Sequence, residues 1–183
     1  MSRHAAAWAA LRAAPVPEAA FPLDDDSNVL ASPGHMDRME AFVELAFPVL
    51  ARTGVSWLGF YLDLPDQPEE TRLVLGSHRD RPACSPIGTH GVCGQALLRN
   101  EARVVEDVRT LGTAYVACDP KDRSEVVVPC RRARGLPWGV LDLDSREVGA
   151  FTAADAAELT ALLERWGLSR GGPAAGGKPG ARR

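Results

Sequence analysis

The sequence has no long hydrophobic run, few lysines and no excess of positive charge. Its apolar stretches are interrupted by glycine, proline or a charged residue well before the roughly 20 residues that a transmembrane helix needs. We therefore expect no membrane-spanning segment. The 21 Lys and Arg against 24 Asp and Glu leave a net charge of −3, and no basic stripe crosses the central part of the chain. A nucleic-acid partner is not expected, because such proteins usually carry a clustered positive surface.

Closely paired cysteines are also absent. The sequence contains four cysteines, at Cys84, Cys93, Cys118 and Cys130, and none of them forms a Cys-x-x-Cys motif. Structural zinc usually takes its ligands in such pairs, so a metal site is disfavoured. Arg12 interrupts the alanine-rich start before any signal-peptide core forms. We therefore expect a cytoplasmic protein, where structural disulfides do not persist and cysteines serve redox chemistry or packing.

The length of 183 residues and a hydrophobic content of 45% are typical of one globular domain. Residues 1–33 are rich in Ala, Pro and Asp without a sustained period, and we expect a loose N-terminal arm. Residues 169–183 are rich in Gly and Pro with several positive charges, which predicts a disordered basic tail. The folded domain is thus expected over 34–168.

Hydrophobic periods within the domain predict an alternation of helices and strands. A helical period covers 36–50, and strand-like runs at 55–62 and 71–76 form a first hairpin. A short helix at 92–98 and a strand at 103–106 follow. A second hairpin joins 125–130 to 138–144, and a capping box at Thr152 and Asp155 begins a last helix that reaches Trp166. This order predicts an α+β fold, an antiparallel sheet with the terminal helices packed on one face.

The four cysteines differ in their surroundings. Cys130 lies inside an alternating strand, where a buried packing role is favoured. Cys84, Cys93 and Cys118 lie in loops or at a helix start, and composition leaves each open between an inert and a reactive thiol. Cys93 follows Gly91 at a helix N-terminus, where the helix dipole favours a thiolate.

Three acidic residues lie on the second hairpin. Asp142 and Asp144 are two apart on one strand and therefore share a face, while Glu125 begins the partner strand. The three carboxylates are expected to converge near the loop that holds Cys118. Such a cluster binds an ammonium group, and mutual repulsion raises the pKa of one carboxyl until it keeps its proton at neutral pH. A solvated strand end is the alternative, and the residues alone leave both open.

Together these segments resemble the free methionine-(R)-sulfoxide reductases, which are single GAF domains. The resemblance runs from about Met36 to Trp166 and is carried by Trp57-x-Gly59-Phe60-Tyr61, Ala83-Cys84, Gly91-Val92-Cys93-Gly94, Ala117-Cys118-Asp119, Ser124-Glu125-Val126-Val127-Val128-Pro129 and Gly139-Val140-Leu141-Asp142-Leu143-Asp144-Ser145. No single segment is specific, since similar strands occur in many GAF domains. The combination of three cysteines with the Ser-Glu and Asp-x-Asp segments is rather specific.

The resemblance implies a thiol mechanism without metal or cofactor. Cys118 would attack the sulfoxide sulfur, and Cys84 would resolve the resulting sulfenic acid as a disulfide that thioredoxin or a similar dithiol reduces. Cys93 matches the third family cysteine and is an alternative resolving residue. This alternative stays open because the loop 85–90 is one residue shorter than the usual family loop.

The same resemblance implies how the substrate is held. Glu125, Asp142 and Asp144 would bind the ammonium group of free methionine-R-sulfoxide and help protonate the departing oxygen. Trp57 and Tyr61 would line the pocket for the thioether end.

Two rival functions remain at this point. A stand-alone GAF sensor would bind a small molecule or sense oxidants through the same cysteines without turnover. A cysteine scaffold with structural zinc would contain stoichiometric metal. The oligomeric state, including a homodimer, stays open.

Overall fold

The computed structural model describes residues 2–18, 32–80, 83–114 and 118–171. Within these ranges the chain forms four α-helices and a five-stranded sheet. The helices are α1 (Ala5–Ala13), α2 (Pro33–Ala51), α3 (Val92–Arg99) and α4 (Ala153–Arg165), and the strands are β1 (Val55–Asp63), β2 (Leu73–Arg79), β3 (Arg103–Val105), β4 (Ser124–Arg131) and β5 (Pro137–Ser145). None of the helices in this part of the chain is long and apolar enough to cross a membrane.

The sheet has the order β2-β1-β5-β4-β3, and each neighbouring pair is antiparallel. The two predicted hairpins are its β1-β2 and β4-β5 pairs. The central strand β5 pairs with β1 on one side and β4 on the other, so residues of all three strands meet across the middle of the sheet. The predicted α+β antiparallel fold is therefore confirmed.

The two faces of the sheet carry different helices. α1, α2 and α4 cover one face, where their apolar side chains pack with residues such as Leu141 and Leu143 of β5. The shorter α3 covers the other face, together with Val127 and Val140. Because strand side chains alternate, Asp142 between the two leucines points to the α3 face. The helix-rich face is thus devoted to packing, and the acidic residues lie on the opposite one.

The prediction of a loose N-terminal arm is wrong for Ala5–Ala13, which form α1. Trp8 is 1% exposed and Leu11 is 2% exposed, and both belong to the main core. The Trp8 indole nitrogen donates a 2.6 Å hydrogen bond to Asp155 Oδ1 at the start of α4. This contact links residues 147 positions apart, so no local pattern predicts it. Residues 15–18 have no regular structure, and 19–31 lie outside the described residues.

The contact between Trp8 and Asp155 gives a testable stability effect. Asp155 Oδ2 also accepts the backbone N–H of Thr152 at 2.8 Å, as the capping box predicts. Trp8→Phe keeps the apolar ring and removes the hydrogen bond to the buried carboxylate, so we expect a loss of about 2 kcal/mol in the free energy of unfolding. Urea unfolding followed by circular dichroism measures it.

A control on the same helix is Arg12→Ala. It removes an ion pair to Glu158 whose side chains are 47% and 33% exposed, which is worth at most about 0.5 kcal/mol. If Trp8→Phe and Arg12→Ala lower the free energy of unfolding by equal amounts, the indole hydrogen bond does not stabilise the fold as proposed.

The predicted tail boundary lies slightly too early. Ser169 is 1% exposed, and its hydroxyl accepts the backbone N–H of Arg131 at 3.0 Å. The backbone N–H of Arg170 donates to the Arg131 carbonyl, also at 3.0 Å. The ordered domain therefore extends to these residues, and 172–183 lie outside the described part of the chain.

Candidate active site

A cavity of about 350 Å³ opens on the α3 face of the sheet. Every site residue predicted from the sequence lines it except Cys84, which is bonded to the lining residue Cys118. Among the described residues, the lining consists of Trp57, Tyr61, Ala83, Ile87, Gly88, Gly91, Val92, Cys93, Cys118, Asp119, Asp122, Glu125, Asp142 and Asp144. The lining combines apolar and aromatic side chains with five carboxylate side chains.

The sheet register brings the three predicted carboxylates together. Glu125 on β4 is the direct cross-strand partner of Asp144 on β5, and Asp142 lies two residues further along the same face. Gly59 on β1 faces Asp142 from the other side. A Cβ at Gly59 would lie 2.4 Å from the Trp57 ring, so glycine allows this indole to lie flat against β1 beside the acids.

Two of these carboxylates are removed from water. Glu125 is 5% exposed and Asp142 is 6% exposed. Burial raises the pKa of Glu125 well above its usual range, with a further contribution from the charge of Asp144. Burial likewise raises the pKa of Asp142, and the neighbouring Glu125 adds to the effect. Burial and the neighbouring charges therefore favour the protonated form of both carboxyl groups.

Cys93 is part of the same acidic cluster. Its Sγ donates a 3.3 Å hydrogen bond to Asp142 Oδ2. Burial raises the pKa of the Cys93 thiol well above its usual range, and the charges of Asp142 and Glu125 raise it further. The helix N-terminus favours a thiolate at this position, but burial and the acidic neighbours outweigh it. Cys93 is thus a neutral thiol that donates a hydrogen bond.

Cys84 and Cys118 form a disulfide with their Cα atoms 5.5 Å apart. The shorter loop after Cys84 therefore does not keep this cysteine away from Cys118. The Tyr61 hydroxyl donates a 3.0 Å hydrogen bond to the Cys84 carbonyl, which ties the loop to β1. Cys118 is exposed, whereas Cys93 is buried. Two of the three candidate cysteines are thus joined, and the third lies deeper in the cavity.

Cys130 lies on the opposite face of the sheet. It is fully buried in the helix-rich core, and burial raises the pKa of its thiol. The packing role predicted from its strand position is confirmed.

Sequence reasoning missed Asp122. This residue is 4% exposed, lines the cavity and accepts a 2.9 Å hydrogen bond from the Ser56 hydroxyl on β1. Its charge is a further cause of the raised pKa values of Glu125 and Asp142. Asp122 lies in the irregular segment before β4, where no periodicity applies. The feature of the sequence that could have identified Asp122 is its position just before the Ser124-Glu125 segment.

Comparison with known proteins identifies the fold family. The family model described as "GAF domain" matches residues 37–166, which is more than half of the chain. Among curated proteins, the chain is 39% identical over 113 residues to free methionine-R-sulfoxide reductase of Escherichia coli K12. That match covers 61% of this chain and 64% of the relative. The chain thus spans just under two thirds of the length of such curated relatives.

Solved structures extend the similarity beyond the sequence. Free methionine-R-sulfoxide reductase of Neisseria meningitidis in complex with its substrate aligns with a TM-score of 0.62 and 31% identity, covering 72% of this chain and 74% of that one. The reduced form of the Staphylococcus aureus reductase aligns with a TM-score of 0.58 and 32% identity, covering 69% and 79%. The chain therefore belongs to the GAF domain family and, within it, to the family of the free methionine-R-sulfoxide reductases.

Proposed function

We propose that this protein reduces free L-methionine-R-sulfoxide to methionine, with Cys118 as the nucleophile. The observation that carries the proposal is the position of the Cys84–Cys118 disulfide at a cavity that is also lined by buried carboxyl groups of raised pKa. The relatives named as free methionine-R-sulfoxide reductases support the same activity. A disulfide beside an acid cluster is the arrangement that an oxygen-removing thiol reaction needs.

The chemistry balances with two thiols. Cys118 attacks the sulfoxide sulfur, its sulfur receives the oxygen as a sulfenic acid, and methionine leaves. The Cys84 thiol then attacks the sulfenic sulfur, a disulfide forms and the oxygen departs as water. One sulfoxide and two thiols thus yield one thioether, one disulfide and one water. The Cα separation of 5.5 Å between Cys84 and Cys118 supports this last step, because it lies within the range of disulfide-bonded cysteines.

The buried carboxyl groups supply protons. The sulfoxide oxygen must be protonated as its bond to sulfur breaks, and a carboxyl that keeps its proton at neutral pH is a suitable general acid. Glu125 and Asp142 are the candidates for this role, because burial raises their pKa values and so favours the protonated form. The Cys93 thiol donates to Asp142 Oδ2 and holds that carboxyl in place.

The cavity also suits the rest of the substrate. Asp144 is half-buried beside Glu125 and carries the negative charge that an α-ammonium group needs. Trp57 and Tyr61 are buried with their ring centroids 6.0 Å apart, and they form an apolar wall for the methyl and thioether groups. The acidic end therefore recognises the amine, and the aromatic wall recognises the side chain.

A dithiol protein of the thioredoxin type would complete the cycle. Cys118 is exposed, so a second protein can reach the disulfide from solvent. A reducing cytoplasm is the compartment where such a donor is present. No further cofactor is needed for the electron balance, since both electrons come from the dithiol.

Methionine release tests this function directly. The purified protein is incubated with free L-methionine-R-sulfoxide or its S epimer and dithiothreitol, and methionine is quantified by chromatography. We expect turnover of the R epimer alone, a preference that the relatives support. A folded protein that reduces neither epimer would contradict the proposal and favour the alternative of a GAF sensor without turnover.

The amine requirement gives a second measurable result. We expect N-acetyl-L-methionine-R-sulfoxide to be reduced with kcat/KM lower by roughly 100-fold or more, because its amide leaves Asp144 without a cationic partner. N-methyl-L-methionine-R-sulfoxide is the control, since it adds bulk at nitrogen and keeps the positive charge. Equal use of the acetylated and free substrates would show that the acidic end does not bind the amine.

A further inference from the structure

Cys93, Glu125 and Asp142 form a cluster of potential metal ligands. One ligand atom from each side chain lies within 4.8 Å of the other two. The three residues belong to α3, β4 and β5, so only the tertiary structure brings them together. They are 5%, 5% and 6% exposed, respectively. The cluster is therefore a shielded set of one sulfur and two carboxylate groups.

Two oxygen atoms of this cluster have no partner. Glu125 Oε2 and Asp142 Oδ1 are buried and accept no hydrogen bond from the part of the chain that the structure describes. Buried carboxylate oxygens are normally satisfied by donors or by a cation. Both residues line the cavity, so a cation that enters it can reach these oxygens. The unpaired oxygens are an observation independent of the clustering itself.

The separation of the donors suits a small metal ion. Cys93 Sγ lies 3.3 Å from Asp142 Oδ2. A zinc ion with bonds of about 2.3 Å to sulfur and about 2.0 Å to oxygen, at a tetrahedral angle, separates its donors by roughly 3.5 Å. The Glu125 carboxylate lies within the same 4.8 Å limit. A modest side-chain rotation therefore brings all three donor atoms within bonding distance of one ion.

We propose that Cys93, Glu125 and Asp142 bind a thiophilic divalent cation of the zinc class, with the fourth position open to the cavity. Thiolate and carboxylate ligands favour zinc or cadmium, whereas magnesium and calcium take oxygen ligands alone. Binding replaces the S–H proton of Cys93 with a sulfur–metal bond and displaces any proton on the two carboxyl groups, and these protons pass to solvent. The absence of a Cys-x-x-Cys pair does not bear on this site, because its ligands come from three separate elements.

A cation at this position has a consequence for the reductase. It occupies carboxylate oxygens that the substrate ammonium group would use and ties up the general acids. The metal therefore acts as an inhibitor of turnover. This consequence rests on the proposed function, whereas metal binding itself does not.

The test uses the oxidised full-length protein and Co²⁺ as the probe. With Cys84 and Cys118 joined in the disulfide, the remaining thiols are Cys93 and Cys130. Any sulfur-to-cobalt charge-transfer band therefore reports one of these two residues. No substrate is present, so the result does not depend on whether the protein is a reductase.

We expect a charge-transfer band that saturates at one Co²⁺ per chain and is reversed by Zn²⁺. Cys93→Ser should abolish the band. Glu125→Gln should weaken Zn²⁺ binding by well over 100-fold, beyond the roughly 10- to 100-fold that loss of an outer-sphere contact costs. Cys130→Ala should leave the charge-transfer band and the Zn²⁺ affinity unchanged. Circular dichroism checks that each variant is folded. Absence of the band in the wild-type protein, or its persistence in Cys93→Ser, would overturn the proposal.

Discussion

Replacing Cys118 by serine is expected to abolish methionine release, with a loss of at least about 1,000-fold in turnover. Cys118 is the exposed member of the disulfide and lines the cavity beside the carboxyl groups. A serine hydroxyl has nearly the same size, but it is a far weaker nucleophile toward sulfur and cannot form the disulfide. The variant should keep its thermal transition, since an exposed side chain contributes little packing. Steady-state assays with the R sulfoxide measure the loss.

Cys84→Ser separates attack from resolution. We expect this variant to release about one methionine per chain and then stall with a thioredoxin-type protein as reductant, because attack precedes disulfide formation. The stalled protein should carry a sulfenic acid on Cys118, which dimedone labelling and mass spectrometry detect. If Cys93→Ser stalls in this way and Cys84→Ser does not, Cys93 is the resolving residue.

The matched control for both variants is Cys130→Ala. Cys130 is buried on the opposite face of the sheet, so its removal should leave turnover unchanged. A Cys118→Ser variant that keeps wild-type activity would contradict the assignment of the nucleophile.

Glu125→Gln is expected to lower kcat/KM for the free amino acid by roughly 100-fold or more, because the amide supplies neither a transferable proton nor a negative charge. The same change should stabilise the folded protein at neutral pH. The pKa of Glu125 is raised in the folded state by burial and by Asp144. The folded protein therefore binds this proton more tightly than the unfolded chain does.

The tighter binding of this proton in the folded state determines how the stability changes with pH. As pH rises above the ordinary carboxyl value of 4.5, the unfolded chain releases the proton first, and the folded state loses stability relative to it. Glutamine does not titrate, so the stability gap between Glu125→Gln and wild type should widen from about pH 4.5 upward and level off above the folded-state pKa. Urea unfolding at a series of pH values measures this gap.

Glu101→Gln is the control for this prediction. Glu101 is an exposed carboxylate at the end of α3, outside the cavity. Its replacement should leave activity unchanged. A Glu125→Gln variant that is unfolded or destabilised would indicate that Glu125 supports the fold instead of the chemistry.

Much of the fold and site was predictable from short-range patterns. The alternation around Asp142, with Leu141 and Leu143 on the other face, follows from strand geometry alone and is observed. The pairing of Glu125 with Asp144 follows from the second hairpin, whose register depends on a short turn. The helices were predictable where an apolar stripe ran for several turns, as in α2.

Other features depend on contacts between distant residues. A helix as short as α1 is marginal by itself, and its stability comes from Trp8 packing on α4. Asp122 is positioned by Ser56, which is 66 residues away. The state of Cys93 is set by Asp142 across the cavity. In each case the partner lies beyond the range of any periodic pattern.

The amino-acid sequence by itself thus determined the helices and strands from α2 onward, the face on which each strand residue lies and the family resemblance. These properties depend on local geometry and on residue identity. Only the tertiary structure decided that Cys84 pairs with Cys118, that Cys93 stays a protonated thiol and that Glu125 and Asp142 are shielded from water. Burial and charge proximity are properties of packed elements, and they control the pKa values on which the chemistry of this site depends.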